Sequence, residues 1–201
     1  SIIYIGAINE LNFIKKNDKY IEIGSCTPLI IFEKYIEKIF PDFYEILQRY
    51  GSTQIRNTAT IGGNIATASP IGDTLPILLS LNAKIKIVDY KKELIMPLKE
   101  FFLGYRKTKL NNNQFIKSII IPIENRRIIK SYKISKRIDD DISSVCGAFN
   151  LKIKNNIISS ILIAFGGMSA IPKRAINCEK FLTNNEFSKN SIVNAQQILE
   201  K

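Results

Sequence analysis

Residues Gly51 to Asp73 read GSTQIRNTATIGGNIATASPIGD. The stretch gathers small and hydroxyl side chains around a double glycine, with Arg56 before it and Asp73 at its end. Thr58, Thr60, Thr67 and Ser69 offer hydroxyls, and Asn64 offers an amide. Gly62 and Gly63 lack a Cβ, so a ligand can reach their backbone N–H groups. Such a segment suits a diphosphate flanked by sugar hydroxyls. The same residues also suit a plain hairpin turn between Ile61 and Asn64. Neither the phosphate-loop pattern nor the G-x-G-x-x-G pattern is present. From these residues alone, cradle and turn both stand.

Working outward, Ile2 to Ile5 reads as a short strand. Phe13–Ile14 and Tyr20 to Ile23 form a hairpin about Asn17-Asp18. Thr27 with Pro28 opens a helix running to Ile39, and Asp42 opens a second one closed by Gly51. The stretch Gly51 to Asp73 then reads as an extended loop. Asp73 to Leu81 is a short apolar helix, which Asp73 could cap. Ala83 to Asp89 alternates with period two and pairs with Glu93 to Pro97. Leu98 to Tyr105 is a helical turn, and Leu110 to Asn113 a polar loop. Strands follow at Phe115 to Ile121, Ile129 to Ser135, Ser144 to Lys152 and Ile157 to Phe165, with a turn at Asn155-Asn156. Helices are expected from Pro172 to Leu182 and from Ser191 to Leu199. The pattern is that of an α+β layer.

The 201 residues suffice for one large domain or two small ones. No apolar run is long enough to span a membrane, and no leader pattern opens the chain. Cytoplasm is therefore the expected location. Three cysteines (Cys26, Cys146, Cys178) are widely spaced, and histidine is missing from the sequence. Disulfide, zinc and iron–sulfur ligation are all poorly supported, which leaves buried thiols. The net charge is +11, from 29 basic and 18 acidic residues. The lysines are dispersed among Ile and Asn, with no dense basic run and no aromatic interleaving, so neither nucleic acid nor membrane is an expected partner.

Four ordered segments resemble the FAD-binding domain of the molybdenum hydroxylases, the xanthine dehydrogenase family. They are Glu22 to Leu29 (EIGSCTPL), the Gly51 to Asp73 signature, Tyr132 to Gly147 (YKISKRIDDDISSVCG) and Ile163 to Ala175 (IAFGGMSAIPKRA). The signature resembles that of the small subunit of bacterial xanthine dehydrogenases. This resemblance implies an α+β chain with a PCMH-type FAD-binding fold over residues 1–125. A C-terminal α/β subdomain like that of the CO dehydrogenase flavoprotein would follow over 126–201. It implies that Thr60, Gly63, Asn64, Thr67, Asp73, Ile116 and Lys133 contact FAD, and that no protein group acts as a catalytic acid, base or nucleophile. Asp73 would meet a sugar or ribityl hydroxyl, and the charged segment Lys133 to Asp141 would lie beside the isoalloxazine. Tyr50 and Gly51 fall near the cofactor, although a helix-end aromatic equally suits the core. Arg56 could face the diphosphate or pair with a buried carboxylate, and the structural role is favoured. Gly166-Gly167 is read as a backbone solution after a strand. Lys173 and Arg174 would fall in a first helical turn, an unfavourable place for cations.

The function implied is electron relay from iron–sulfur clusters through FAD to NAD. The clusters and the molybdopterin centre would lie on other chains or segments, within a hetero-oligomer. The resemblance further implies a piece of a longer subunit. It would begin after the family's first glycine-rich loop and stop inside a helical pattern. Two alternatives stay open: the flavin subunit of a carbon monoxide or nicotinate dehydrogenase, and an assembly module that has lost its flavin.

Overall fold

The computed structural model describes residues 4–199. The first hairpin joins β1 (Ile14–Lys16) to β2 (Tyr20–Gly24), and Asn17 Oδ1 accepts from the N–H groups of Lys19 and Tyr20 to close the turn. Helices α1 (Leu29–Ile36) and α2 (Pro41–Gln48) follow. Next come α3 (Thr53–Thr58), α4 (Ile61–Thr67) and α5 (Thr74–Ser80). A second hairpin pairs β3 (Lys84–Val88) with β4 (Glu93–Pro97), and a small one pairs β5 (Phe102–Gly104) with β6 (Lys107–Thr108). The long strands are β7 (Phe115–Pro122), β8 (Ile128–Ser135), β9 (Ser143–Lys154) and β10 (Ile157–Gly166). The two-residue β11 (Lys173–Arg174) precedes α6 (Ile176–Leu182) and α7 (Lys189–Leu199).

Two larger antiparallel sheets result, in the orders β1-β2-β7-β3-β4 and β11-β10-β9-β8, beside the two-stranded β5-β6. Between them lies α5. Every one of its seven residues is buried, as expected for a helix whose only polar side chains, Thr74 and Ser80, both have hydrogen-bond acceptors. Its approach to the second sheet depends on small side chains: Ala148 of β9 stands opposite Ala164 of β10, and both are fully buried in the core that α5 shares with the first sheet. The alternate residues of those strands, among them Leu151, Ile161 and Ile163, point the other way and are covered by α6 and α7. The order of layers is sheet, helices, sheet, helices, which makes the chain α+β.

Several expectations need correction. Gly51 to Asp73 is not an extended loop but two short helices followed by the turn into α5. Thr27 does not cap α1; its hydroxyl donates to Phe13 O. That helix stops at Ile36. Asp73 makes no side-chain cap on α5 and itself has helical backbone angles. Pro172 opens no helix: Lys173 and Arg174 pair with Phe165 and Ala164 as β11, and the helix starts at Ile176. Arg174 is thereby freed to form a buried ion pair with Glu179 of α6 (2.5 Å). Leu98 to Tyr105 divides into one helical turn and β5. Of the strand expected at Ile2 to Ile5, the first two residues lie outside the described ones, and Tyr4 and Ile5 are irregular. Asn155 and Asn156 both take left-handed angles (φ 50° and 61°), the tight turn that joins β9 to β10.

Candidate functional site

The signature folds as helices because its hydroxyls cap them. Ser52 Oγ accepts from Ile55 N at 3.3 Å and starts α3. Thr60 Oγ1 accepts from Gly63 N at 3.1 Å and starts α4. Ala68, left-handed at φ 48°, ends it. Arg56 turns inward and pairs with Glu33 at 2.9 Å, while its Nη1 donates to Gly51 O at 2.7 Å. It is a structural cation and does not face a ligand.

The two glycines do different work. A Cβ on Gly62 would lie 2.4 Å from Ser25 Cβ, so this glycine lets α4 pack against the end of β2. Its N–H donates to Ser25 O. A Cβ on Gly63 would meet only Thr60 Oγ1, at 3.0 Å, and otherwise open space. Gly63 borders two adjoining clefts of about 670 and 640 Å³, both also lined by Thr58 and Thr60. The size is that of ordinary ligand sites. Both glycine N–H groups are taken inside the protein, which corrects the expectation that they stay open to a ligand.

The first cleft brings together Thr60, Gly63, Asn64, Thr67, Asp73 and Lys133 of the expected residues. Ile116 stands apart from these; it lines the second cleft with Cys26 and Phe115. Proton by proton, Thr67 Oγ1 donates to Gly63 O (2.8 Å) and is spent inside α4. Thr60 accepts in its cap bond, so its own proton is free to point outward. Asn64 Nδ2 donates to the Tyr50 hydroxyl at 2.7 Å, and Asn64 Oδ1 accepts from Thr74 Oγ1. Burial, and then the charge of Asp73, push the Tyr50 phenol upward, so it stays protonated.

The cleft floor is a buried charge network. Lys133 Nζ lies 2.7 Å from Asp73 Oδ2, the two side chains being 2% and 7% exposed. Ser143 Oγ donates to Asp73 Oδ1. Lys133 Nζ also donates to Arg49 O at 2.8 Å. Beneath them burial pushes the Cys146 thiol up to about 12, with Asp73 adding to the effect and Lys133 and Arg49 opposing it. All three cysteines are free and buried. Among the described residues no three His, Cys, Asp or Glu side chains gather as a metal site.

Two contributors carried no sequence signal. Arg49, at the end of α2, donates to Lys133 O (2.9 Å), Ser135 Oγ (3.2 Å) and Ile138 O (3.2 Å). It pins the loop after β8, whose residues Asp140, Asp141 and Ile142 form one wall of the cleft. Asp139, on the same loop, is not part of that wall. The backbone N–H of Arg137 is the main cause that holds the Asp141 carboxyl below its ordinary range. Arg106, from the tip of the β5–β6 hairpin, also lines the cleft. Gly167 (φ 86°) donates its N–H to Pro70 O at 2.8 Å, and a Cβ there would strike Ser144 O at 2.3 Å. The Gly166-Gly167 turn is therefore a packing device that seats the Ser69–Gly72 turn on the second sheet.

Residues 1–124 match the family described as the FAD binding domain in molybdopterin dehydrogenase, and residues 130–201 match the CO dehydrogenase flavoprotein C-terminal domain. The chain belongs to this flavin-binding family. It is 34% identical over 200 residues to the xanthine dehydrogenase of Emericella nidulans, a match covering 92% of this chain and 15% of that protein. Xanthine dehydrogenase 1 of Arabidopsis thaliana is 32% identical over 99% of this chain and 16% of its own length. A nicotinate hydroxylase of Emericella nidulans is 35% identical over 83% of this chain and 12% of its own length. The chain thus spans about one eighth to one sixth of the length of these curated relatives. Carbon monoxide dehydrogenase from Hydrogenophaga pseudoflava shares the fold, with a TM-score of 0.91 at 23% identity over 96% of this chain and 68% of that one. Among the described residues no helix is long and apolar enough to cross a membrane.

Proposed function

We propose that this chain is the flavin-holding part of a xanthine dehydrogenase-like oxidoreductase, in which electrons from iron–sulfur clusters elsewhere in the enzyme leave to NAD. Bound FAD would supply reversible redox chemistry that amino-acid side chains lack. The observation that carries the reading is the open ground at Gly63, where two clefts meet and a side chain would stand in the way. Thr60 would donate its free hydroxyl proton there, and Thr67 and Asn64 would fix the helix that presents it. Ile116 would offer an apolar surface in the second cleft. Asp73 and Lys133 would act as a pair, a near-neutral and rigid floor that holds its dipoles in place before any ligand arrives. The wall Asp140 to Ile142, held by Arg49, would govern who approaches the ring and so the exit of electrons.

The family's requirements fit these residues: an uncrowded backbone, hydroxyl donors and a desolvated charge pair surround a cleft of cofactor size. Iron–sulfur and molybdopterin groups belong, on this reading, to other segments or subunits of a cytoplasmic hetero-oligomer. Residues 1–125 and 126–201 are proposed as its two structural units. The similarity to a nicotinate hydroxylase supports one second reading, in which the same flavin unit serves a different oxidised substrate. Native purification of the full-length protein tests the proposal. A bound flavin released as FAD, and reduced by substrate or reoxidised by NAD, supports it. A colourless protein that takes up no FAD removes it.

A further inference from the structure

The donor pattern around Asn64 fixes the polarity of Tyr50. Thr74 is fully buried, and its hydroxyl has Asn64 Oδ1 as its only partner among the described residues. A buried hydroxyl proton left without an acceptor costs about 1–3 kcal/mol, so the amide is held with Oδ1 toward Thr74. Its Nδ2 then has to face Tyr50, which accepts that bond. A phenol has a single proton, and Tyr50's has no protein acceptor among the described residues, although Tyr50 lines the first cleft.

The backbone that carries the ring is held fast, and the ring packs against the core. Gly51, left-handed at φ 53°, ends the chain's path out of α2, and Arg56 Nη1 donates to Gly51 O and, at 3.4 Å, to Tyr50 O. Tyr50 thus packs its ring against the core while its hydroxyl accepts from Asn64 and keeps its own proton unspent. We infer that Tyr50 is a ligand-binding residue whose hydroxyl donates to an oxygen acceptor of the flavin nucleotide, its direction set by the relay Thr74–Asn64–Tyr50. The inference rests on the cleft's holding FAD. Its chemistry is that of a placed donor, and the acceptor is an oxygen of either the ADP or the FMN half.

Three substitutions in the full-length protein, stripped of flavin and titrated with FAD, test it. Tyr50→Phe removes only the hydroxyl and should weaken FAD binding about 5- to 10-fold, the worth of one hydrogen bond. Thr74→Val releases the amide, whose Oδ1 can then turn and capture the Tyr50 proton. It should weaken FAD in the same direction, and Thr74→Ser should restore parental affinity. Because both act through one proton, the double variant should bind no more weakly than Tyr50→Phe alone. Titrations with ADP and with FMN place the acceptor, since the loss should appear with one of them. Melting of the flavin-free variants reports folding separately. Losses that multiply in the double variant overturn the relay, as does a loss with FAD but with neither half. A Tyr50→Phe protein within about twofold of a parent that binds FAD overturns the donor role alone. A parent with no FAD affinity overturns the reading of the cleft as well, so the two failures are distinguishable.

Discussion

Replacing Lys133 by Met keeps most of the side-chain volume and deletes the charge in the cleft floor. In the native arrangement Lys133 lies 2.7 Å from Asp73, with both side chains almost wholly buried. After the change Asp73 retains only the hydroxyl of Ser143 as a side-chain partner. Breaking a buried pair from one side costs about 3–5 kcal/mol, because the orphaned charge stays in a poorly polarisable place. For a chain of this size that is about 6–20 °C in melting temperature. Adding Asp73→Asn removes the orphan. The double variant should therefore recover at least about half of the loss, since a neutral pair of similar volume is often nearly as stable as the ions. Thermal and urea unfolding of the flavin-free protein read this directly, and the comparison forms a double-mutant cycle. A single variant less than about 1 kcal/mol below the parent, the scale of an exposed pair, would refute the reasoning. So would losses that simply add. Unchanged melting with lost flavin would show that Lys133 serves the ligand and not the floor.

Three further outcomes follow. The Cys146 thiol, raised by burial to about 12 from 9.0, favours the protonated native state, so its share of stability is full below pH 9 and is lost as the pH climbs toward 12. Cys146→Ala should flatten stability against pH in that window by up to about 1.4 kcal/mol per unit, and an unaltered slope would contradict the shift. Neutralising Asp139 and Asp140 together in the assembled enzyme should change turnover with NAD. It should hardly touch turnover with an artificial acceptor that takes electrons upstream of FAD; parallel losses, or none, would make the segment a folding element. Duplex or single-stranded oligonucleotides should bind weakly, without sequence preference and only at low salt, and a salt-resistant selective complex would contradict the view that basicity here is compositional.

Local periodicity made much of the fold legible. The alternation in Ala83 to Asp89, the Asn155-Asn156 turn and the apolar run Leu75 to Leu79 of α5 each depend on nearest neighbours, and each folds as its pattern dictates. The signature misled because Thr, Asn and Gly form helices poorly, while the caps that rescue them, Ser52 and Thr60, look in sequence like ligand hydroxyls. Pro172 resembled a helix start. The decisive fact, that Lys173 and Arg174 find a free edge on β10, is non-local. Six of the expected site residues line the first cleft, and Ile116 lines the second. What could not be read was who bonds whom. Asp73 and Lys133 lie sixty residues apart in sequence, and nothing near either announces the other. Arg49 ends an ordinary amphipathic helix, and its three bonds, two to β8 and one to the loop after it, exist only once the second sheet is docked.

The most direct measurement is flavin content after Gly63→Val in the full-length protein, set beside its circular dichroism and melting. Gly63 has no left-handed φ, Val forms helix better than Gly, and the new Cβ meets only Thr60 Oγ1, so the fold should survive with at most the loss of the Thr60 cap, about 1 kcal/mol. The branched side chain would fill the passage between the two clefts. The expected result is a folded protein that has lost its FAD, and equal flavin content in variant and parent would contradict the account.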